Sequence, residues 1–132
     1  MHITGIYAAL AALLVLVLAA SVSMSRRKNR TGIGDGGHAD LALRIRAHAN
    51  AVEYLPLALL LLLLLELNQT QASWLHVFGI VLIVSRVLHA LGLSRGAGVS
   101  AGRMYGILGT WLVILAMSVL LLWQFVVSRM LA

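Results

Sequence analysis

Residues 44–67 read RIRAHANAVEYLPLALLLLLLLEL. The second half is an unbroken apolar run suited to a lipid bilayer or a deep core. The first half places two arginines, a histidine, an asparagine and a glutamate on what the pattern predicts to be the same helix. The run raises two questions: how many such helices the chain contains, and why this one begins with so much polar chemistry.

The rest of the chain answers the first. Of its 132 residues 61% are hydrophobic and only 11% charged, and the mean hydropathy is +0.98, far from the balance of a soluble domain. Apolar stretches over 3–24, 47–67, 74–93 and 105–128 approach or exceed the roughly 20 residues that a helix needs to cross about 30 Å of hydrocarbon. The short alternating segments of a membrane β-barrel are absent. In the first stretch the basic residues follow the apolar core instead of preceding it, so a retained anchor is expected in place of a signal peptide. The predicted fold is all-α: a single integral membrane domain over 1–132, built as a four-helix up-and-down bundle.

Charge sets the expected orientation. The connections 25–46 and 94–104 carry arginines (SRRKNRTGIGDGGHADLALR and SRGAGVSAGR), whereas ELNQTQAS between the second and third spans carries none. By the positive-inside rule both arginine-bearing loops face the cytoplasm and both termini the other side. Arg26, Arg27, Lys28 and Arg30 are then topology determinants first, with membrane lipid headgroups as nonspecific partners. The formal charge of +6 is clustered beside apolar segments, which argues against nucleic acid. The glycines of GIGDGG and GAGVSAG follow no predicted strand and lead to no Gly-Lys-Ser/Thr ending, so they are read as turns and not as a phosphate loop.

Elimination narrows the chemistry. With no cysteine the chain has no thiolate, disulfide or cysteine nucleophile of its own. It has no HExxH and no EF-hand loop, so no metal is expected. What remains is a stripe. On a helix turning 100° per residue, Arg46, Asn50 and Glu53 share an arc of about 60°. Tyr54 borders them and Pro56 follows, while Arg44 and His48 point to other faces. A planar cation, an amide, a carboxylate and a phenol suit a zwitterionic ligand bearing carboxylates and an ammonium group. The plainer alternative is that Arg46 and Glu53 neutralise each other across two turns. Arg86, inside the third span in VSRVLHALG, is expected to pair with Glu53. His89 is read as a satisfied interfacial histidine.

The run RAHANAVEYLP resembles the signature of the MAPEG family, the membrane-associated proteins of eicosanoid and glutathione metabolism, through Arg46, Ala47, Asn50, Glu53 and Pro56. SRRKNR at the end of the first span, SRVLHALGL in the third and Arg103 opening the fourth extend the resemblance over essentially the whole chain. A bacterial-type member is implied, and with it the bacterial inner membrane. The resemblance further implies a homotrimer that holds glutathione between subunits near the cytoplasmic face. Arg46, Asn50, Glu53 and Tyr54 would contact glutathione from one subunit. Arg26 of a neighbour would bind a glutathione carboxylate, Arg27 would lie near the reacting region, and Arg103 would stabilise the thiolate. His48 and Arg86 are further candidates for the binding wall. The family's tyrosines in the third helix are replaced by Leu88 and Leu93. The expected function is a glutathione-dependent transferase or peroxidase acting on a lipophilic electrophile. The alternative is a non-catalytic scaffold or lipid-binding protein.

Overall fold

The computed structural model describes residues 2–94, 96, 98 and 100–130. They form four helices: α1 Ile3–Lys28, α2 Ala39–Leu67, α3 Ala72–Ser94 and α4 Ala101–Met130. No strand occurs among the described residues. All four helices are long and apolar enough to cross a membrane. Large side chains such as Leu13, Leu16, Val17, Leu112 and Leu115 stand exposed along α1 and α4, as a lipid-facing surface requires. The apolar stretches read from sequence are the middles of longer helices. In particular α2 begins at Ala39, well before the apolar stretch at 47, and Arg44 and Arg46 lie on the helix as the polar pattern predicts.

The chain runs up and down. Ser25 donates to Asp40 across the α1–α2 connection, and Arg44 reaches back to Ser21. At the opposite end Asn68 meets Gln124, and Gln124 in turn donates to Thr70. Helices α2 and α3 each touch every other helix, whereas α1 and α4 do not meet among the described residues. Half of the α3 span is buried, against 17% for α1 and for α4, which makes α3 the axis of the bundle.

Spacing explains the core. Ala51, Leu55, Ala58, Leu62 and Leu65 recur every three or four residues down one face of α2. They pack on Leu75, Phe78 and Leu82 of α3 and on Val113 and Met117 of α4. Gly79 is small for a reason: a Cβ there would lie 2.3 Å from the Tyr7 ring. Tyr7 therefore rests on the α3 backbone, with its hydroxyl 2.8 Å from His76 Nδ1 and 3.2 Å from the His76 carbonyl oxygen.

At the same end Glu66 of α2 accepts hydrogen bonds from the first amides of α1, at Ile3 and at Thr4 (2.9 Å). A carboxylate at a helix N-terminus satisfies orphan donors and complements the dipole. Glu66→Ala is expected to cost about 1–2 kcal/mol, the upper range of a lost N-terminal cap. Thermal unfolding in detergent measures it, and an unchanged midpoint would remove Glu66 as the clasp of α1.

Candidate functional site

Toward the α1–α2 and α3–α4 connections the core changes character. The buried faces of α2, α3 and α4 continue in register, but at these depths they carry Asn50, Ser85, Arg86, His89 and Thr110. The third helix supplies most of this polar layer, because positions 85, 86 and 89 extend the stripe begun by Leu75, Phe78 and Leu82.

Arg86 lies at the centre and is only 1% exposed. Its Nη2 donates to Asn50 Oδ1 at 2.7 Å and its Nη1 to Thr110 Oγ1 at 3.4 Å. The Tyr54 ring faces its guanidinium, 5.6 Å from the centroid. Its Nε has no hydrogen-bond partner among the described residues. The expected ion pair with Glu53 is not formed: Glu53 lies within electrostatic range of Arg86 but not in contact with it. Asn50 stands between them, giving its oxygen to Arg86 and its Nδ2 to Glu53 Oε2 at 3.5 Å. One amide thus joins the buried cation to the carboxylate.

Glu53 pairs instead with Arg46. The guanidinium grips both carboxylate oxygens, at 3.1 and 3.5 Å, so the neutralisation across two turns considered from the sequence does occur. Both side chains are about half exposed, at 59% and 47%, on an edge of α2 that the chain's own helices leave uncovered. The stripe therefore has an inner half, where Asn50 and Tyr54 bear on Arg86, and an outer half of Arg46 and Glu53.

Arg103 approaches from α4. Its backbone is held where α3 and α4 come closest. A Cβ on Gly92 would lie 2.3 Å from the Arg103 nitrogen, and one on Gly106 would lie 2.5 Å from the His89 nitrogen and 2.6 Å from the Ser85 oxygen. Gly102, Gly106 and Gly109 present one small-residue face of α4 to α3, the arrangement that lets membrane helices bring their backbones together. The guanidinium of Arg103 has no hydrogen-bond partner among the described residues, and the residue is half-buried. Arg46, Arg86 and Arg103 all act electrostatically on His89, so three cations from three helices converge on one neighbourhood.

The remaining candidates lie apart from that centre. Arg26 donates through Nη1 to the carbonyls of Gly32 (3.1 Å) and Gly34 (2.9 Å), bracing the glycine-rich connection. Gly34, Gly36 and Gly37 have φ of 70°, 57° and 79°, a left-handed backbone natural to glycine, and these residues make turns. Gly34 and Asp35 face Ala42, Ile45, Arg46 and Ala49 across a groove of about 360 Å³. Arg26 therefore braces a wall next to Arg46 without reaching it. Arg27 is exposed and His48 half-buried, and neither side chain has a hydrogen-bond partner among the described residues. Leu88 is 42% exposed and Leu93 buried. Arg95 of the 94–104 connection lies outside the described residues.

Sequence reasoning missed two features. His89 is buried, and its Nδ1 lies 2.9 Å from the Arg103 carbonyl oxygen. The glycine spacing of 102, 106 and 109 was a visible signal for the close helix contact. Among the described residues no group of three or more histidines or carboxylates is placed to hold a metal ion.

Compared with protein-family models, residues 4–123 match the one described as MAPEG family. No curated protein matches the chain.

Proposed function

Because the chain belongs to the MAPEG family, which includes glutathione transferases and related proteins, and is an integral membrane protein, we propose that it is a glutathione-dependent transferase or peroxidase acting on lipophilic electrophiles. The observation that carries this reading is the convergence of the Arg46–Glu53–Asn50 stripe with Arg86 and Arg103 at one end of the bundle. In this reading Arg46 and Glu53 offer a cation and an anion to the two charges of the γ-glutamyl end, with Asn50 and Tyr54 beside them. The uncovered edge of α2 is completed by a neighbouring subunit of a homotrimer, which brings Arg26 and Arg27 to the ligand. The arginine-bearing connections face the cytoplasm, so the site takes glutathione from water while its second substrate arrives through lipid.

The chemistry asked of the protein is to hold a thiolate. A thiol of pKa about 8.5 is mostly protonated at neutral pH, and an adjacent guanidinium favours the ionised form. Lowering that pKa by two units takes about 2.7 kcal/mol. Arg103, whose guanidinium is not committed to any hydrogen bond among the described residues, is assigned this task. In conjugation the thiolate sulfur forms the bond to the electrophilic carbon, and a leaving group departs or the adduct takes a proton from water.

Arg103→Ala is expected to lower kcat/KM for a model electrophile about 100-fold at a pH below both thiol pKa values, and about 25-fold at about pH 7, where a thiol with a pKa of about 6.5 is already mostly ionised. Conjugation assays on purified protein test this, and equal rates with and without the arginine would end the catalytic reading. The replacement of third-helix tyrosines by Leu88 and Leu93 favours a second reading, a non-catalytic scaffold or lipid-binding protein. Titration with glutathione in detergent separates the two, since saturable binding belongs to the first alone.

A further inference from the structure

Arg103 sits in the first turn of α4. A residue so placed needs something to fix it, and its peptide is tied to α3 at both ends. Its N–H donates to Ser100 Oγ at 3.3 Å, and the same hydroxyl donates to the Gly92 carbonyl at 3.2 Å. Its carbonyl oxygen lies 2.9 Å from Nδ1 of His89. A carbonyl only accepts, so the proton of that bond is on His89 Nδ1. Both ties fall where Gly92 and Gly106 let the two backbones touch, and His89 is 5% exposed.

We propose that His89 is a positioning residue for the thiolate site: by holding the Arg103 carbonyl from α3, with Ser100 holding its N–H, it sets where the Arg103 guanidinium stands. This rests on the reading of Arg103 as the group that stabilises the thiolate. His89 acts through the backbone of Arg103 and touches neither substrate. The requirement is a donor at the Nδ1 position, not an imidazole, and that makes the inference separable from a purely space-filling role. The amide nitrogen of an asparagine reaches about as far from the backbone as Nδ1, whereas that of a glutamine reaches as far as Nε2.

The test is the ultraviolet thiolate absorbance of glutathione bound to the purified protein, titrated against pH, with kcat and KM measured in parallel. His89→Leu and His89→Gln are expected to raise the apparent pKa of the bound thiol by about one unit. They should lower kcat/KM about tenfold at a pH below the parent's thiol pKa, as one unit implies there, with KM for glutathione nearly unchanged. His89→Asn should stay within about twofold of the parent. Ser100→Ala, which removes the other tie at a half-buried position without opening the core, should move the same quantities in the same direction, by about threefold in kcat/KM. A parent-like titration of His89→Leu beside a lost thiolate signal in Arg103→Ala would overturn the positioning role, as would an Asn variant no better than Leu. If Arg103→Ala itself titrates like the parent, the thiolate reading fails first and takes this inference with it.

Discussion

Replacing Asn50 with leucine is expected to destabilise the folded bundle by about 3–5 kcal/mol, the range found when a buried charge loses its partner. The 2.7 Å bond from Arg86 Nη2 is the shortest contact of a guanidinium that is otherwise served by Thr110 at 3.4 Å and by the face of Tyr54. With the amide gone, a fully buried cation keeps only those weak contacts and an Nε that already has none. Ordinary hydrogen bonds between membrane helices average about 0.6 kcal/mol, so a loss on the larger scale identifies the charge as its source. The second variant decides the matter. Arg86→Met combined with Asn50→Leu removes both the charge and its acceptor, and is expected to return to within about 1–2 kcal/mol of the parent, because a matched apolar pair can replace a buried polar one. Unfolding in detergent across the four proteins of this cycle measures the coupling. An Asn50→Leu loss below about 1 kcal/mol would show that Arg86 does not depend on that amide.

A comparable effect is expected at Gly106. An alanine Cβ there would meet three backbone atoms, the His89 nitrogen at 2.5 Å, the Ser85 oxygen at 2.6 Å and the His89 Cα at 2.7 Å, and backbone can yield only if α3 and α4 separate. The cost should reach about 3 kcal/mol, the upper range of overpacking, and the polar layer should loosen with it. Two controls calibrate the result. Gly109→Ala would meet the Ser85 side-chain oxygen at 2.3 Å, which a rotation relieves, so its loss should be about 1 kcal/mol. Gly5→Ala meets nothing and should stabilise α1 by up to about 1 kcal/mol through helix propensity. Thermal midpoints that rank Gly106 below Gly109 below Gly5 support the account, whereas three equal midpoints would show that the α3–α4 contact is not tight.

The four helices were legible because hydropathy over some twenty residues is a strong signal, and helical period alone put Arg46, Asn50 and Glu53 on one face. The start of α2 was not. Hydropathy marks the apolar part of a helix, whereas the polar turns from Ala39 to Arg46 are held by good helix formers such as Ala42, Leu43 and Arg44. The partner of Arg86 was not legible either. Asn50 and Glu53 are one turn apart on α2, and which of them meets α3 depends on the rotation of one helix against the other. A carboxylate looked the better partner by charge, but it stands on the outer edge, where Arg46 reaches it first. His89 is satisfied, as the sequence suggested, but its partner was not legible: it is a backbone carbonyl fourteen residues away, and a main-chain acceptor leaves no mark in side-chain chemistry. The glycine spacing from 102 to 109 was legible in principle, since small residues four and three apart share a helical face.

The position of Arg86 also bears on how the protein is made. A lone helix with an arginine near its middle enters a bilayer at a cost of about 2.5–3.5 kcal/mol on translocon scales. The other apolar residues of α3 can outweigh that cost, but the charge then stays in hydrocarbon with nothing to meet it. In this chain α2 emerges from the ribosome immediately before α3, with Asn50 already on the face that α3 will cover. Leaving the translocon as a hairpin, the two helices can satisfy the guanidinium before either is released singly to lipid. The order of helices along the chain is then also the order in which the charge finds its partner.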